Sequence, residues 1–216
     1  MLKGMPNLLF CVLLALCSSW PVCGQESDRP KQAVEKPTNV QELLACLESA
    51  VANLQDYTVT GTTETDGKKQ QFKMAFKRPN LVRIDTHQGQ VSVQPNGDIK
   101  GRLGHGPFGK IAQKLRRSDK RLQDAEGIPF YESDFLSMLA RVQAQIKEGA
   151  AATMNADTTS YVLEIHSGDT AWKYRLDSSD FSLQESSRWV KSKQAEITHY
   201  TDFHANTGIK TGFFKF

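Results

Sequence analysis

Phe72-Lys-Met-Ala-Phe-Lys-Arg-Pro-Asn-Leu-Val-Arg-Ile-Asp85 is the stretch whose reading decides the fold. Phe72, Met74 and Phe76 alternate with Lys73, Ala75 and Lys77. A period of two predicts a strand with one apolar and one wet face. Pro79 has no N–H to donate and interrupts the ladder. Leu81 to Thr86 then resumes as a second extended run, so Lys77-Arg78-Pro79-Asn80 is a corner between two strands. The corner sets Arg78 beside a largely apolar face, an unusual place for a charge. Two readings of Arg78 follow. Either its head reaches water over a short stem, or it points across a cavity mouth to the backbone carbonyls of a helix-connecting loop. Five planar donors suit it to the second task. A ligand that pushed such a loop aside would break those bonds, so closing and loading would compete.

Outward from this stretch the strand pattern continues. Tyr57 to Thr65 is a Thr-rich strand, and Asp66-Gly67 is a hairpin signal that returns the chain antiparallel at 70–77. Residues 80–86 and 90–94 extend the meander, with turns at Gln88-Gly89 and Pro95-Asn96-Gly97, and Ile99 to Leu103 adds a short strand. After residue 160 the pattern is strand again: Tyr161, Leu163 and Ile165 alternate, as do Trp172, Tyr174 and Leu176. Leu183 to Val190 and Ala195 to Phe203 follow, and Ile209 to Phe216 closes the chain.

Three segments read as helices. Thr38 or Asn39 caps the first, in which Leu43, Cys46, Leu47, Ala50, Val51 and Leu54 share one face. Phe108, Ile111, Ala112 and Leu115 predict a second, ringed by Lys110, Lys114, Arg116 and Arg117. Glu132 to Lys147, capped around Ser133, is the third, with Phe135, Met138, Leu139, Val142 and Ile146 as its apolar stripe. Gly149 to Thr159 is small and polar and reads as a mobile connection.

An antiparallel sheet of nine or ten strands curls as its twist accumulates. The expected fold is therefore α+β: an incomplete, strongly curved antiparallel barrel with about three amphipathic helices as a lid. Such a fold leaves room for an apolar cavity. The periodicity assigns its lining to Leu43, Leu47, Phe72, Met74, Phe76, Phe135 and Leu139.

The chain has 216 residues. Lys3 and the apolar run Leu8 to Leu16 read as a secretory signal ending before Gln25, too short to span a bilayer. Residues 1–24 are thus the expected signal peptide, 25–37 a flexible leader and 38–216 a single domain. A lipobox needs Gly, Ala or Ser before its cysteine. Leu16 and Val22 stand there instead, which argues against lipid anchoring. Cys11, Cys17 and Cys23 leave with the signal, so Cys46 remains alone as a small core residue, and no internal disulfide follows.

Charge excludes one class of partner. Lys+Arg number 27 and Asp+Glu 24, a net +3 that is no nucleic-acid footprint. The basic run Lys110, Lys114, Arg116, Arg117 is denser than its surroundings. It is a wet face, or a contact with anionic lipid headgroups or an acidic partner surface. No nucleophile elbow or phosphate loop is present. His199, Asp202 and His204 are too few for a catalytic zinc site, with Asp202 and His204 on one face and His199 on the other. The reading is non-enzymatic, with no cofactor, no metal and no catalytic residue.

Two passages resemble the LolA-like periplasmic carriers of outer-membrane lipoproteins. One is Phe76-Lys-Arg-Pro-Asn-Leu81 followed by Asn96-Gly97-Asp98. The other is Ile197-x-x-Tyr-x-Asp-Phe-x-x-Asn206-x-Gly-Ile209 and then Phe213-Phe214-x-Phe216. The resemblance implies an unclosed barrel with a helical lid, held shut by the arginine of the Arg-Pro corner, here Arg78. It implies a monomer that shields the acyl chains of a lipoprotein or lipid, taken from an inner-membrane release complex and given to an outer-membrane acceptor. The chain departs from the carriers after Asn96-Gly97-Asp98, where Ile99-Lys-Gly-Arg-Leu replaces the usual aromatics. A second reading keeps the fold but fills its core, making an interaction or sensor domain for a protein partner.

Overall fold

The computed structural model describes residues 36–103, 111–123 and 127–216. The signal and leader, apart from Lys36 and Pro37, and Lys110 lie outside the described residues. The first element, α1 (Val40–Ala52), starts at Asn39, whose side chain accepts the Glu42 N–H. Glu42 answers by accepting from the Thr38 N–H and hydroxyl, a reciprocal cap that satisfies donors the helix leaves unpaired. These bonds hold the Glu42 carboxyl below its ordinary pKa.

Six strands follow: β1 (Asp56–Thr65), β2 (Lys68–Lys77), β3 (Leu81–Thr86), β4 (Gly89–Val93), β5 (Ile99–Leu103) and β6 (Gln113–Leu115). Then come α2 (Phe135–Lys147) and five more strands: β7 (Ala151–Ala156), β8 (Ser160–Ser167), β9 (Thr170–Asp177), β10 (Leu183–Val190) and β11 (Lys193–Ala205). All eleven form one antiparallel sheet in the order β6-β5-β4-β3-β2-β1-β11-β10-β9-β8-β7. The sheet does not close, and β6 and β7 are its edges.

Two expectations are corrected. The helix read over Phe108 to Leu115 is not formed at its end, where Gln113–Leu115 is strand β6. The α-helices among the described residues therefore number two, not three. Tertiary pairing overrides the helical spacing: the edge of β5 offers unpaired backbone groups, and Leu115 sits opposite Ile99. Gly101 makes the room, because a Cβ there would stand 2.7 Å from Leu115 Cδ1. Gly149 to Thr159 is not a mobile connection either. Most of it is β7, paired with β8 from Ala151↔His166 to Ala156↔Tyr161.

The core lies between the helices and one face of the sheet. Leu43, Leu47 and Val51 of α1 and Phe135, Met138, Leu139 and Val142 of α2 meet Tyr57, Val59, Met74, Phe76, Leu163, Ile165 and Leu176. The opposite face carries a smaller cluster, in which the chain's end folds back on the sheet. Phe214, fully buried, packs there with Ala75 and Leu81. Its carbonyl accepts from Ser92 Oγ at 2.9 Å and Gln94 Nε2 at 2.6 Å. Arg83 binds the Phe213 carbonyl at 2.9 Å and lies over the Phe213 ring at 4.8 Å. Asp56, 2% exposed, holds the turn before this tail by accepting from Thr207, Gly208 and Ile209.

Gly61 marks the middle of β1. An added Cβ would lie 2.5 Å from Phe72 Cζ and 2.7 Å from the His199 carbonyl oxygen. The first contact could yield, but the second is backbone of the neighbouring strand. Gly61→Ala is expected to destabilise by about 1–3 kcal/mol and to tilt Phe72 off the sheet. Urea unfolding checks it, and an unchanged midpoint would overturn it.

Candidate functional site

The same alternation that places Phe72 and Met74 on the helix-facing side of β2 opens a space between sheet and α2. It is a cavity of about 510 Å³, within the range of about 300–1,000 Å³ for small-ligand pockets. The strands β1 to β5 supply an apolar wall: Val59, Met74, Ile84, Val91 and Leu103. Phe130, Phe135 and Met138 cover it from the segment that leads into α2 and from the helix itself. Towards β10 and β11 the wall turns polar, with Thr63, Ser186, Thr198 and Tyr200.

Hydrogen bonds order the polar wall. The Thr63 and Thr198 hydroxyls lie 2.9 Å apart, and Ser186 Oγ lies 3.2 Å from the Tyr200 hydroxyl. Burial raises the Tyr200 pKa. Phe72 meets the Tyr200 ring edge-on, centroids 6.0 Å apart. Tyr57 is the strut between sheet and helix. Its ring stacks on Phe76 at 5.3 Å and Phe203 at 5.2 Å. Its hydroxyl accepts the Phe135 N–H at 3.0 Å and donates to Met74 Sδ at 3.7 Å. Asp134 caps the same helix start by accepting from the Leu136 and Ser137 N–H groups. The cap is Asp134, one residue after Ser133.

The structure divides the seven residues assigned to the lining. Phe72, Met74 and Phe135 stand at the cavity wall. Leu43, Leu47, Phe76 and Leu139 do not, and lie in the packed core instead. Period alone finds the inward face of an element but not whether a helix covers it. The sequence reading missed Trp172, Thr198, Tyr200 and Phe203, which line the cavity. The alternation along β9 carries the signal for Trp172, whereas on β11 the irregularity at Asp202 brings Phe203 to the side of Thr198 and Tyr200, which alternation alone does not give.

Arg78 does not reach freely into water; its guanidinium bonds backbone carbonyls where α1 leads into β1. Its Nε donates to the Leu54 carbonyl at 2.7 Å and its Nη2 to the Val51 carbonyl at 2.8 Å. Val51 lies in the last turn of α1 and Leu54 just past its C-cap Asn53; the Val51 carbonyl also accepts the Leu54 N–H at 3.0 Å. Its own N–H donates to the Gln55 carbonyl at 2.9 Å. The corner of β2 and β3 is thus tied to the α1–β1 connection.

Of the basic run, Lys114 pairs with Asp98 at 2.8 Å, which lowers the Asp98 pKa. Arg116 is exposed, and Arg117 lies over the Tyr131 ring at 5.5 Å. These side chains do not form one flat face of a helix. His199 pairs with Glu185 at 3.3 Å, while Asp202 accepts from Thr60 at 2.8 Å. Asp202 has a φ of +50° at a register shift, so strict alternation fails between His199 and His204. Among the described residues no group of three His, Cys, Asp or Glu could hold a metal ion, and no helix is long and apolar enough to cross a membrane.

No protein-family profile and no curated protein matches the chain. Solved structures do. One is a DUF1329 family protein from Desulfovibrio piger ATCC 29098, 10% identical, covering 79% of this chain and 96% of that one at a TM-score of 0.41. Another is MucB, 12% identical, covering 82% and 62% at 0.48. A third is the complex of MucA and MucB from Pseudomonas aeruginosa, 14% identical, covering 80% and 60% at 0.46. The chain thus spans under two thirds of the MucB chains it matches.

Proposed function

We propose that the chain is a periplasmic carrier or sensor that binds an acyl chain of a lipoprotein or lipid, without catalysis. The observation that supports this reading is the cavity of about 510 Å³ left between an unclosed sheet and α2, with an apolar wall along β1 to β5. A cavity lined this way favours an apolar chain over water. On this reading the cargo is acylated, an inner-membrane release complex supplies it, and an outer-membrane acceptor receives it.

A specific observation favours a second reading, a protein partner. The edge strand β7, Ala-Ala-Thr-Met-Asn-Ala, carries no charge and no proline. Edges are normally protected by such residues, and an unprotected one can take an added strand.

Native mass spectrometry of the protein exported and purified without detergent separates the two. The carrier reading expects extra mass that dissociates as a lipid or acylated peptide. A clean apo mass that persists after incubation with fatty-acid and lipopeptide probes would overturn it in favour of the partner reading.

A further inference from the structure

The cavity is not uniform in charge. Among the described residues that line it, three are charged: Arg141, Arg188 and Glu196. Arg188 and Glu196 face each other in the β10–β11 register, so their charges offset locally. Arg141 is different. It follows Met138 by three residues on α2, which brings it to the same inward side as Met138. It donates to the Glu132 carbonyl, a neutral acceptor. A guanidinium has five donors spread over three nitrogens, and one backbone carbonyl engages only part of that set.

Arg141 shares the cavity lining with the polar wall. There the Tyr200 hydroxyl lies 3.2 Å from Ser186 Oγ. Thr198, 5% exposed, adds a hydroxyl bonded to Thr63. Val59, Met74, Ile84, Val91 and Leu103 offer nothing to a charge, and from the same strands Thr65, Gln70 and Thr86 add only neutral polar groups. A ligand filling both parts has one apolar and one polar end, and the local excess of positive charge selects the sign of the polar end. A half-buried arginine beside an apolar wall attracts an anion more strongly than the same arginine in bulk solvent.

We propose that the cavity takes a single-chain amphiphile with an anionic head, carboxylate or phosphate, and that Arg141 receives that head. The proposal rests on the acyl-binding reading and narrows it. The volume suits one ligand of drug size, and the charge balance disfavours a cationic head.

The test uses dodecanoate, dodecyl phosphate, dodecyl glucoside and dodecyltrimethylammonium below their micelle concentrations. Calorimetry and the fluorescence of Trp172, a wall residue, report binding. An anionic head is expected to bind about 10–100-fold tighter than the neutral glucoside, and the cationic probe weakest. Arg141→Gln should remove that preference and leave the glucoside affinity within about twofold, because a uniform loss would mean only a damaged fold. Arg141→Lys should keep part of it, since it keeps the charge without the fork. The ratio of dodecanoate to dodecyl phosphate tells which head is the better match. Equal binding of anionic and neutral probes by the unmodified protein, or a preference surviving in Arg141→Gln, overturns the role of Arg141 and leaves the acyl cavity standing. Binding of none of the four probes overturns the cavity reading itself, and this proposal with it. The head-group preference of the unmodified protein decides the matter even where a variant fails to fold.

Discussion

Tyr57→Ala is expected to destabilise the fold by about 3–5 kcal/mol. The side chain is 2% exposed and stacks on both Phe76 and Phe203. Removing it opens a hole where sheet and α2 meet. Tyr57→Phe separates the ring from its hydroxyl. It leaves the Phe135 N–H without its acceptor, which costs about 1–3 kcal/mol. Urea unfolding of the two variants measures both terms. A Tyr57→Phe midpoint equal to that of the unmodified protein would show that the hydroxyl does not anchor α2. The same residue sets a pH dependence. Burial, and then the charge of Asp134, raise the Tyr57 pKa well above its ordinary value. A raised pKa contributes stability that is whole below the unfolded value near 10 and is lost as pH climbs towards the folded one. Stability should therefore fall above about pH 10, and less steeply in Tyr57→Phe. Tyr200, also raised by burial, contributes in the same direction.

Arg78→Leu is the second large effect. It removes two charge-assisted bonds to the Val51 and Leu54 carbonyls at the end of α1. The expected loss is about 1–3 kcal/mol, or roughly 3–10 °C in Tm for a domain of this size. Arg78→Lys should fall between, because one ammonium cannot reproduce the planar fork. The measurement also separates two roles. A lowered Tm with ordinary ligand release makes Arg78 a clamp on α1. An unchanged Tm with slowed release makes it the latch that the resemblance implies.

Much of this architecture is legible in the residues. The alternation from Phe72 to Phe76 and the Asp66-Gly67 turn specify β1 and β2 without help from the rest of the chain. Asn39, Glu42 and the stripe through Leu43 and Leu47 specify α1. What misleads is context. The spacing of Phe108, Ile111 and Leu115 suits a helix, yet Leu115 is taken by the edge of β5 and Ile111 stays 59% exposed. Ala151 to Ala156 has little intrinsic strand preference and forms a strand because β8 pairs with it. The cavity was only half legible. An inward face is a property of one element, whereas an empty space is a property of what lies opposite. Phe76 and Phe72 sit on the same face of β2, but only Phe72 borders the cavity. Arg141 escaped because a charged residue beside an apolar stripe reads as solvent-facing until the opposing strands are known.

The sheet order has a kinetic consequence. From β1 to β6, and again from β7 to β11, every strand pairs with its neighbour in sequence. The two meanders join only where β1 meets β11, with Tyr57 opposite Ala205 and Thr65 opposite Glu196. Each meander can assemble from local contacts, which form early, but the seam must close a loop of well over a hundred residues, and that ordering entropy is met before the seam contributes anything. Gly61, the Asp56 clasp and the docked Phe214 all lie at or beyond that seam. The last contacts to form are thus the ones that bring the two halves together.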